Sequence, residues 1–155
     1  MVHFTVGPFS LDVPEAWTLS TVILVGPPPQ QQPASGMLRR ANTALAFQRN
    51  LIATMEAVSE AETPESYVDR QIRGLREAGV SQWEANEPEQ VQLENGRAGL
   101  LTEQVVVGAG GEHVRQMQLV SIKNGVAYTV ILSHLDGDQF DAVRDEFRGI
   151  LLSFT

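Results

Sequence analysis

The sequence predicts an α+β domain, a mostly antiparallel sheet of about six or seven strands flanked by amphipathic helices. Three observations predict it. Residues 114–133, VRQMQLVSIKNGVAYTVILS, read as two strands joined at Asn124-Gly125, because both residues tolerate the positive φ of a type I′ turn. Other apolar runs keep the two-residue period of strands and are closed by glycine, proline or asparagine. Two stretches, one after Thr63 and one after Asp136, carry apolar residues at helical spacing instead.

Taken in order, residues 2–13 alternate around Gly7-Pro8, with Phe4 and Val6 before it and Phe9, Leu11 and Val13 after it, giving two short strands ended by Pro14. Trp17 precedes STVILVG, residues 20–26, a nearly continuous apolar run of the kind expected when both strand faces are covered. Residues 27–33, PPPQQQP, cannot pair in a sheet and read as an exposed loop of polyproline character. A strand resumes over residues 43–52 with Leu45, Phe47 and Leu51 on one face. Thr63-Pro64 then opens a helix: threonine caps, proline suits the first helical position, and Glu65 complements the positive end of the dipole. Val68, Ile72 and Leu75 form its apolar stripe, Arg73 and Arg76 sit toward its C-terminal end, and Gly79 stops it.

Residues 83–91 are polar and contain Pro88, which fits an edge strand. Asn95-Gly96 turns the chain into RAGLLTEQVVV, and Gly108-Ala109-Gly110-Gly111 turns it again into the Asn124-Gly125 hairpin, so three consecutive strands form a meander. The closing stretch, DGDQFDAVRDEFRGILLSF, is a helix capped by Asp136 or Asp138. Its stripe of Phe140, Val143, Phe147, Ile150 and Leu151 is expected on the Tyr128, Val130 and Leu132 face of the hairpin. The whole chain, 1–155, reads as a single domain, without internal repeats.

The two faces of that hairpin differ. With Asn124-Gly125 as the loop, Leu119 faces Val130 and Met117 faces Leu132, a core-like surface. The other face pairs Ile122 with Ala127, Val120 with Thr129, Gln118 with Ile131 and Gln116 with Ser133. A solvated sheet face carries more charge, and a dry core leaves glutamine amides short of partners. Two explanations stay open. Either the face receives another polypeptide, whose backbone needs hydrogen bonds where water is excluded, or a helix or loop of this chain covers it.

Composition narrows the function. A net charge of −8, with only Arg39-Arg40 adjacent among eleven basic residues, argues against nucleic acid or an anionic membrane as partner. The absence of cysteine excludes disulfides and thiolate-bound metal. The opening residues MVHFTVGPFSLDVP lack the pattern of a signal peptide, and no run approaches the ~18 apolar residues of a spanning helix, so the cytoplasm is the expected location. Catalytic signals are thin. No serine stands in a GxSxG elbow, GAGGE is not followed by a helix, and Asp136/Asp138 and Asp145/Glu146 suit a helix cap and a solvated helix face. The hairpin brings His113 and His134 near Glu112, but no ligand spacing with a mechanical reason supports a metal site. The expectation is a protein that is not an enzyme, with no cofactor and no metal.

An opening FSLDVPEAWTLSTVILV, a strand ending in Gln48-Arg49, the helix ESYVDRQIRGL, and a VRQMQ strand leading to a closing helix that ends in SF resemble the DcrB-like family. Within it they resemble the Eag branch, the effector-associated chaperones of bacterial type VI secretion. The resemblance covers nearly the whole chain through short motifs. It implies a sandwich like PsbP and the Mog-type Ran-binding proteins. It also implies a cytoplasmic, often dimeric chaperone that shields the hydrophobic N-terminal transmembrane helices of a PAAR- or Rhs-type toxin effector before loading onto the secretion spike. Members use a concave apolar sheet surface whose glutamines hydrogen-bond the client backbone. Carried onto this chain, the pattern falls on Val22 and Leu24, on Gln71, and on Gln116 and Gln118; strand pairing adds Val120 and Ile131, and further Leu101 and Val105. The PPPQQQP stretch and residues 51–63 depart from the family's pattern. A carrier of a small apolar ligand or lipid, or a regulatory protein-binding module, is the alternative for the same fold.

Overall fold

Asn124 (φ 52°) and Gly125 (φ 72°) turn the chain between β7 (His113–Lys123) and β8 (Val126–Leu135), and this tight turn propagates its register along both strands. Leu119 pairs with Val130 and Met117 with Leu132 on one face; Val120 pairs with Thr129, Gln118 with Ile131 and Gln116 with Ser133 on the other. That is the pairing expected from the sequence. The computed structural model describes residues 1–6, 9–13, 15, 49–77, 79, 84–107 and 111–155. The expected strand at 20–26 with Val22 and Leu24, the 27–33 stretch, residues 43–48, Pro14, Trp17, Trp83 and the 108–110 turn lie outside the described residues.

Around the hairpin the sheet grows in both directions. On one side β6 (Ala98–Val107) runs antiparallel to β7, and the short β4 (Glu84–Ala85) and β5 (Glu89–Gln92) pair in succession along β6. Between them Asn86 N–H donates to Glu103 O at 2.8 Å, while Pro88, which has no N–H to give, falls in the gap. On the other side β3 (Asn50–Ala57) pairs with β8, giving the order β3-β8-β7-β6-β4 with β5 also on β6. The strand expected to end at residue 52 therefore continues to Ala57. β1 (Val2–Val6) and β2 (Phe9–Val13) form the two strands expected, and among the described residues they make a two-stranded sheet of their own.

The main core lies on the Leu119, Val130 and Leu132 face. There α2 (Asp138–Asp141) and α3 (Arg144–Leu152) bury Phe140, Phe147, Ile150 and Leu151, joined by Leu11, Leu93 and Phe154. Phe140 and Phe147 meet edge to face at 5.7 Å between ring centroids. Each such side chain removed from water contributes about 1.5–3 kcal/mol, so among the described residues this layer holds most of the apolar stabilisation. The closing segment departs from expectation: it is two helices, not one. Val143 takes φ −116° and ψ 1°, which interrupts the helical ladder before α3. Neither aspartate caps as expected, because Gly137 precedes α2 without a side-chain cap and Asp136 instead accepts from Arg115 Nε at 2.5 Å.

The opposite face carries α1 (Pro64–Glu77). Its start is doubly tied: Ser66 N–H donates to Thr63 Oγ1 at 3.2 Å, and Thr63 N–H donates to Ser66 Oγ at 3.0 Å. Gly79 (φ 81°) stands beyond its end. Tyr67 and Val68 bury themselves against Leu100, Val120 and Ala127, with Val58, Ile72 and Ile122 around them. The sheet thus has a helical layer on each face.

Candidate functional site

The face beneath α1 holds a relay of glutamines that strand register assembles. On β7 the alternation puts Gln116, Gln118 and Val120 on one side, and pairing with β6 sets Gln104 opposite Gln116, Thr102 opposite Gln118 and Leu100 opposite Val120. Gln104 Nε2 donates to Gln116 Oε1 at 3.1 Å and lies 3.5 Å from Gln118 Oε1. Gln116 Nε2 donates to Ser133 Oγ at 3.2 Å, and Gln118 Nε2 donates to Gln71 Oε1 of α1 at 2.9 Å. Five side chains from four elements form one connected network. Such a network is stable in a dry setting because each amide finds partners, and it leaves Thr102 Oγ1 buried beside it without one.

Not all of this face is open. Gln118 is buried under α1 and Val120 is fully buried against Tyr67 and Val68. The second of the explanations left open by the sequence therefore applies to this half: the chain's own helix covers it. Gln71 meets Gln118 in a helix–sheet seam. Leu101 and Val105 correct a further expectation. They pair with Leu119 and Arg115, so they face the main core side, and the β6 residues on the glutamine side are Leu100, Thr102 and Gln104. The register pairs Leu100, not Leu101, with Val120, and in a strand neighbouring residues face opposite ways.

The other half is more open. A helix is about 10 Å across and neighbouring strands about 4.8 Å apart, so α1, packed on β6 and β7, covers roughly two strands. Beyond it lie β8 and β3, where Ile131 pairs with Ile52 and Thr129 with Thr54 on the same face. Ile131 and Gln116 are half-buried, Thr54 is exposed, and Ile52 is 41% exposed. One end of this strip is closed off. Tyr67 Oη donates to Glu56 Oε2 at 3.0 Å and Arg70 reaches Glu56 Oε1 at 3.1 Å, tying α1 to β3. Burial is the largest influence on the Tyr67 phenol and pushes it upward; the Thr129 hydroxyl pulls it back and Glu56 raises it again, so Tyr67 stays a donor.

The main-core side carries a separate charged cluster. Glu103 accepts from Arg115 at 2.9 Å and from Arg144 at 2.8 Å, and both guanidinium groups lie over the Phe140 ring. It ties β6, β7 and the start of α3 together as a clamp, with Asp136 also on Arg115 and Asp141 also on Arg144. The histidine pair has no metal geometry: Arg115 pairs with His134, and among the described residues no three His, Cys, Asp or Glu side chains gather as a metal site. Among the described residues no helix is long and apolar enough to cross a membrane.

No protein-family model and no curated protein sequence matches the chain. Solved structures do. The Pseudomonas aeruginosa protein PA94 matches with a TM-score of 0.57 and 14% identity, over 96% of this chain and 91% of PA94. The Ran-binding protein Mog1p of Saccharomyces cerevisiae matches at 0.55 and 13%, over 96% of this chain and 90% of its own. The chain has the PsbP/Mog1-like fold. CyanoP, the PsbP of Synechocystis sp. PCC 6803, matches at 0.53 and 21%, over 69% of this chain and 66% of CyanoP. At these identities the likeness concerns fold, and function rests on the side chains.

Gln104, the hub of the relay, and Tyr67, which seats α1, were not among the residues singled out from sequence. Gln104 becomes visible only when the β6–β7 register is known, and Tyr67 sits one position off the Val68, Ile72, Leu75 stripe.

Proposed function

We propose that this chain is a chaperone or adaptor that covers an apolar N-terminal helix of a type VI secretion toxin effector, of PAAR or Rhs kind, acting in the cytoplasm as a homodimer before the effector is loaded onto the spike. The motif resemblance to the Eag branch of the DcrB-like family supports it. The observation that carries it is the half-open strip on which the half-buried Gln116, joined to the glutamine relay, shares a sheet face with Ile131 and the exposed Ile52. Apolar side chains there can take up part of a membrane-type helix, and an amide can exchange its bond to Ser133 for one to a client. Moderate apolar contact plus few directional bonds suits a client that must later be released.

The contact residues proposed are Gln116, Ile131 and Ile52; Gln71 on α1, with Gln118 and Val120 beneath that helix, supports the strip. Co-expression with the effector's N-terminal helices tests the reading. Ile131→Asp, Ile52→Asp and Gln116→Arg are expected to abolish co-purification while the circular dichroism of the variant is unchanged. Retained capture by all three would overturn it. Closure of the Val120 half by α1 favours one rival, a module that binds a folded protein. Such a module would bind a folded partner with the strip mutated.

A further inference from the structure

The β1–β2 sheet carries a side-chain constellation that the proposed function does not use. Antiparallel pairing sets His3 opposite Asp12 and Thr5 opposite Ser10, and strand alternation puts all four on one face. His3 Nδ1 lies 3.0 Å from Asp12 Oδ1, His3 Nε2 lies 2.6 Å from Ser10 Oγ, and Thr5 Oγ1 lies 3.2 Å from Ser10 Oγ. An ionised carboxylate can only accept, so it takes the Nδ1–H of His3; that tautomer leaves Nε2 bare, and the Ser10 hydroxyl donates to it. Nucleophile, base and orienting carboxylate follow one another within hydrogen-bond reach, an arrangement recognised by geometry and roles wherever it occurs in a sequence.

The backbone under it is fixed. Asp12 N–H donates to Ser153 Oγ at 2.9 Å and Thr155 N–H donates to Ser10 O at 2.9 Å, pinning β2 to the residues after α3. The side chains are reachable from water, with His3 64% and Asp12 39% exposed.

We propose that Ser10, His3 and Asp12 form a nucleophilic site that accepts an acyl group from a carboxylic ester with a good leaving group. Ser10 Oγ attacks the acyl carbon while its proton passes to His3 Nε2. Collapse of the tetrahedral adduct breaks the bond to the leaving oxygen, which takes that proton from His3. Water then attacks the acyl-serine with His3 as base, releasing the carboxylic acid and restoring the Ser10 hydroxyl. Thr5 supplies a hydroxyl beside the reacting centre. One hydroxyl stabilises an oxyanion less than paired main-chain amides, so an acylated serine is the species to detect.

The test treats the full chain with a fluorophosphonate probe, in which Ser10 Oγ displaces fluoride at phosphorus and its proton goes to His3. Intact mass and peptide mapping are expected to find one adduct, on Ser10, absent in Ser10→Ala. His3→Gln is expected to slow labelling by about a hundredfold or more, and Asp12→Asn to slow it less, with circular dichroism unchanged. An adduct scattered over other hydroxyls, or a His3→Gln rate equal to that of the parent, overturns the proposal. Should Ser10→Ala fail to fold, the mapped position and the His3→Gln rate decide. Neither result depends on client binding.

Discussion

Gln118 and Gln116 stand two residues apart on β7, yet their surroundings give them different weights. Gln118 is buried and feeds Gln71 across the helix–sheet seam, so Gln118→Ala takes the donor from the half-buried Gln71 carbonyl on α1 and the partner from the buried Gln104 amide, and is expected to cost about 1–3 kcal/mol. Gln116 is half-buried and water can replace what it loses, so Gln116→Ala is expected to cost less than about 1 kcal/mol. Urea unfolding midpoints check the pair; equal costs would mean that α1 does not rest on Gln118. Gly99 is a sharper constraint, since a Cβ there would sit 2.8 Å from Leu119 Cδ1, and Leu119 is wholly enclosed. Gly99→Ala is expected to destabilise by about 1–3 kcal/mol through overpacking, read by the same midpoints. At this scale the two glutamines of VRQMQ were legible, because an uncharged amide on an apolar strand face is a conflict visible in the sequence. Their partners Gln104 and Ser133 were legible only in part: Ser133 followed from the hairpin register, while Gln104 awaited that of β6.

Helices on the two faces of the sheet differ in how much they hold. Phe147 of α3 is enclosed in the larger core, and Phe147→Ala is expected to cost about 3–5 kcal/mol and to shift the unfolding of the whole sheet. Thr63→Ala removes one partner of the reciprocal cap at the start of α1 and is expected to cost about 1 kcal/mol. Hydrogen exchange separates these outcomes: Thr63→Ala should raise exchange in α1 with β7 and β8 unaffected, whereas protection lost equally everywhere would contradict a separately seated helix. The start of α1 could be read from Thr63-Pro64 because capping is local chemistry. The interruption at Val143 could not, because the stripe from Phe140 to Leu151 keeps helical spacing straight through it. Spacing records which residues face the core, and two short helices on one surface can share the same record.

Acid response belongs to the whole molecule, because its groups join distant elements. Burial first, and then the charge of Arg49, hold His134 below its ordinary value of 6.5, and its Nδ1 accepts the Leu135 N–H at 2.7 Å. A depressed folded value means stability that is complete above 6.5 and lost as the pH falls through the folded value. Asp136 is held below its ordinary 3.8, chiefly by the hydrogen bond from Arg115, so its contribution is lost at lower pH still, as the pH falls through its own folded value. Denaturation midpoints are therefore expected to fall in two stages, the first reduced in His134→Gln and the second in Arg115→Gln; a midpoint independent of pH below 6.5 would refute the first. By itself the sequence determined the fold class, the Asn124-Gly125 hairpin with its pairing, the α1 cap and the apolar stripe of the closing segment, because turns, caps and periodicity are written in neighbouring residues. Only the tertiary structure decided that Leu101 and Val105 turn to the core, that α1 closes over Gln118 and Val120, and that His3, Ser10 and Asp12 meet on one face. Those outcomes depend on register and on which helix reaches which face, and a shift of one residue in a strand, which leaves local composition untouched, reverses every side chain it carries.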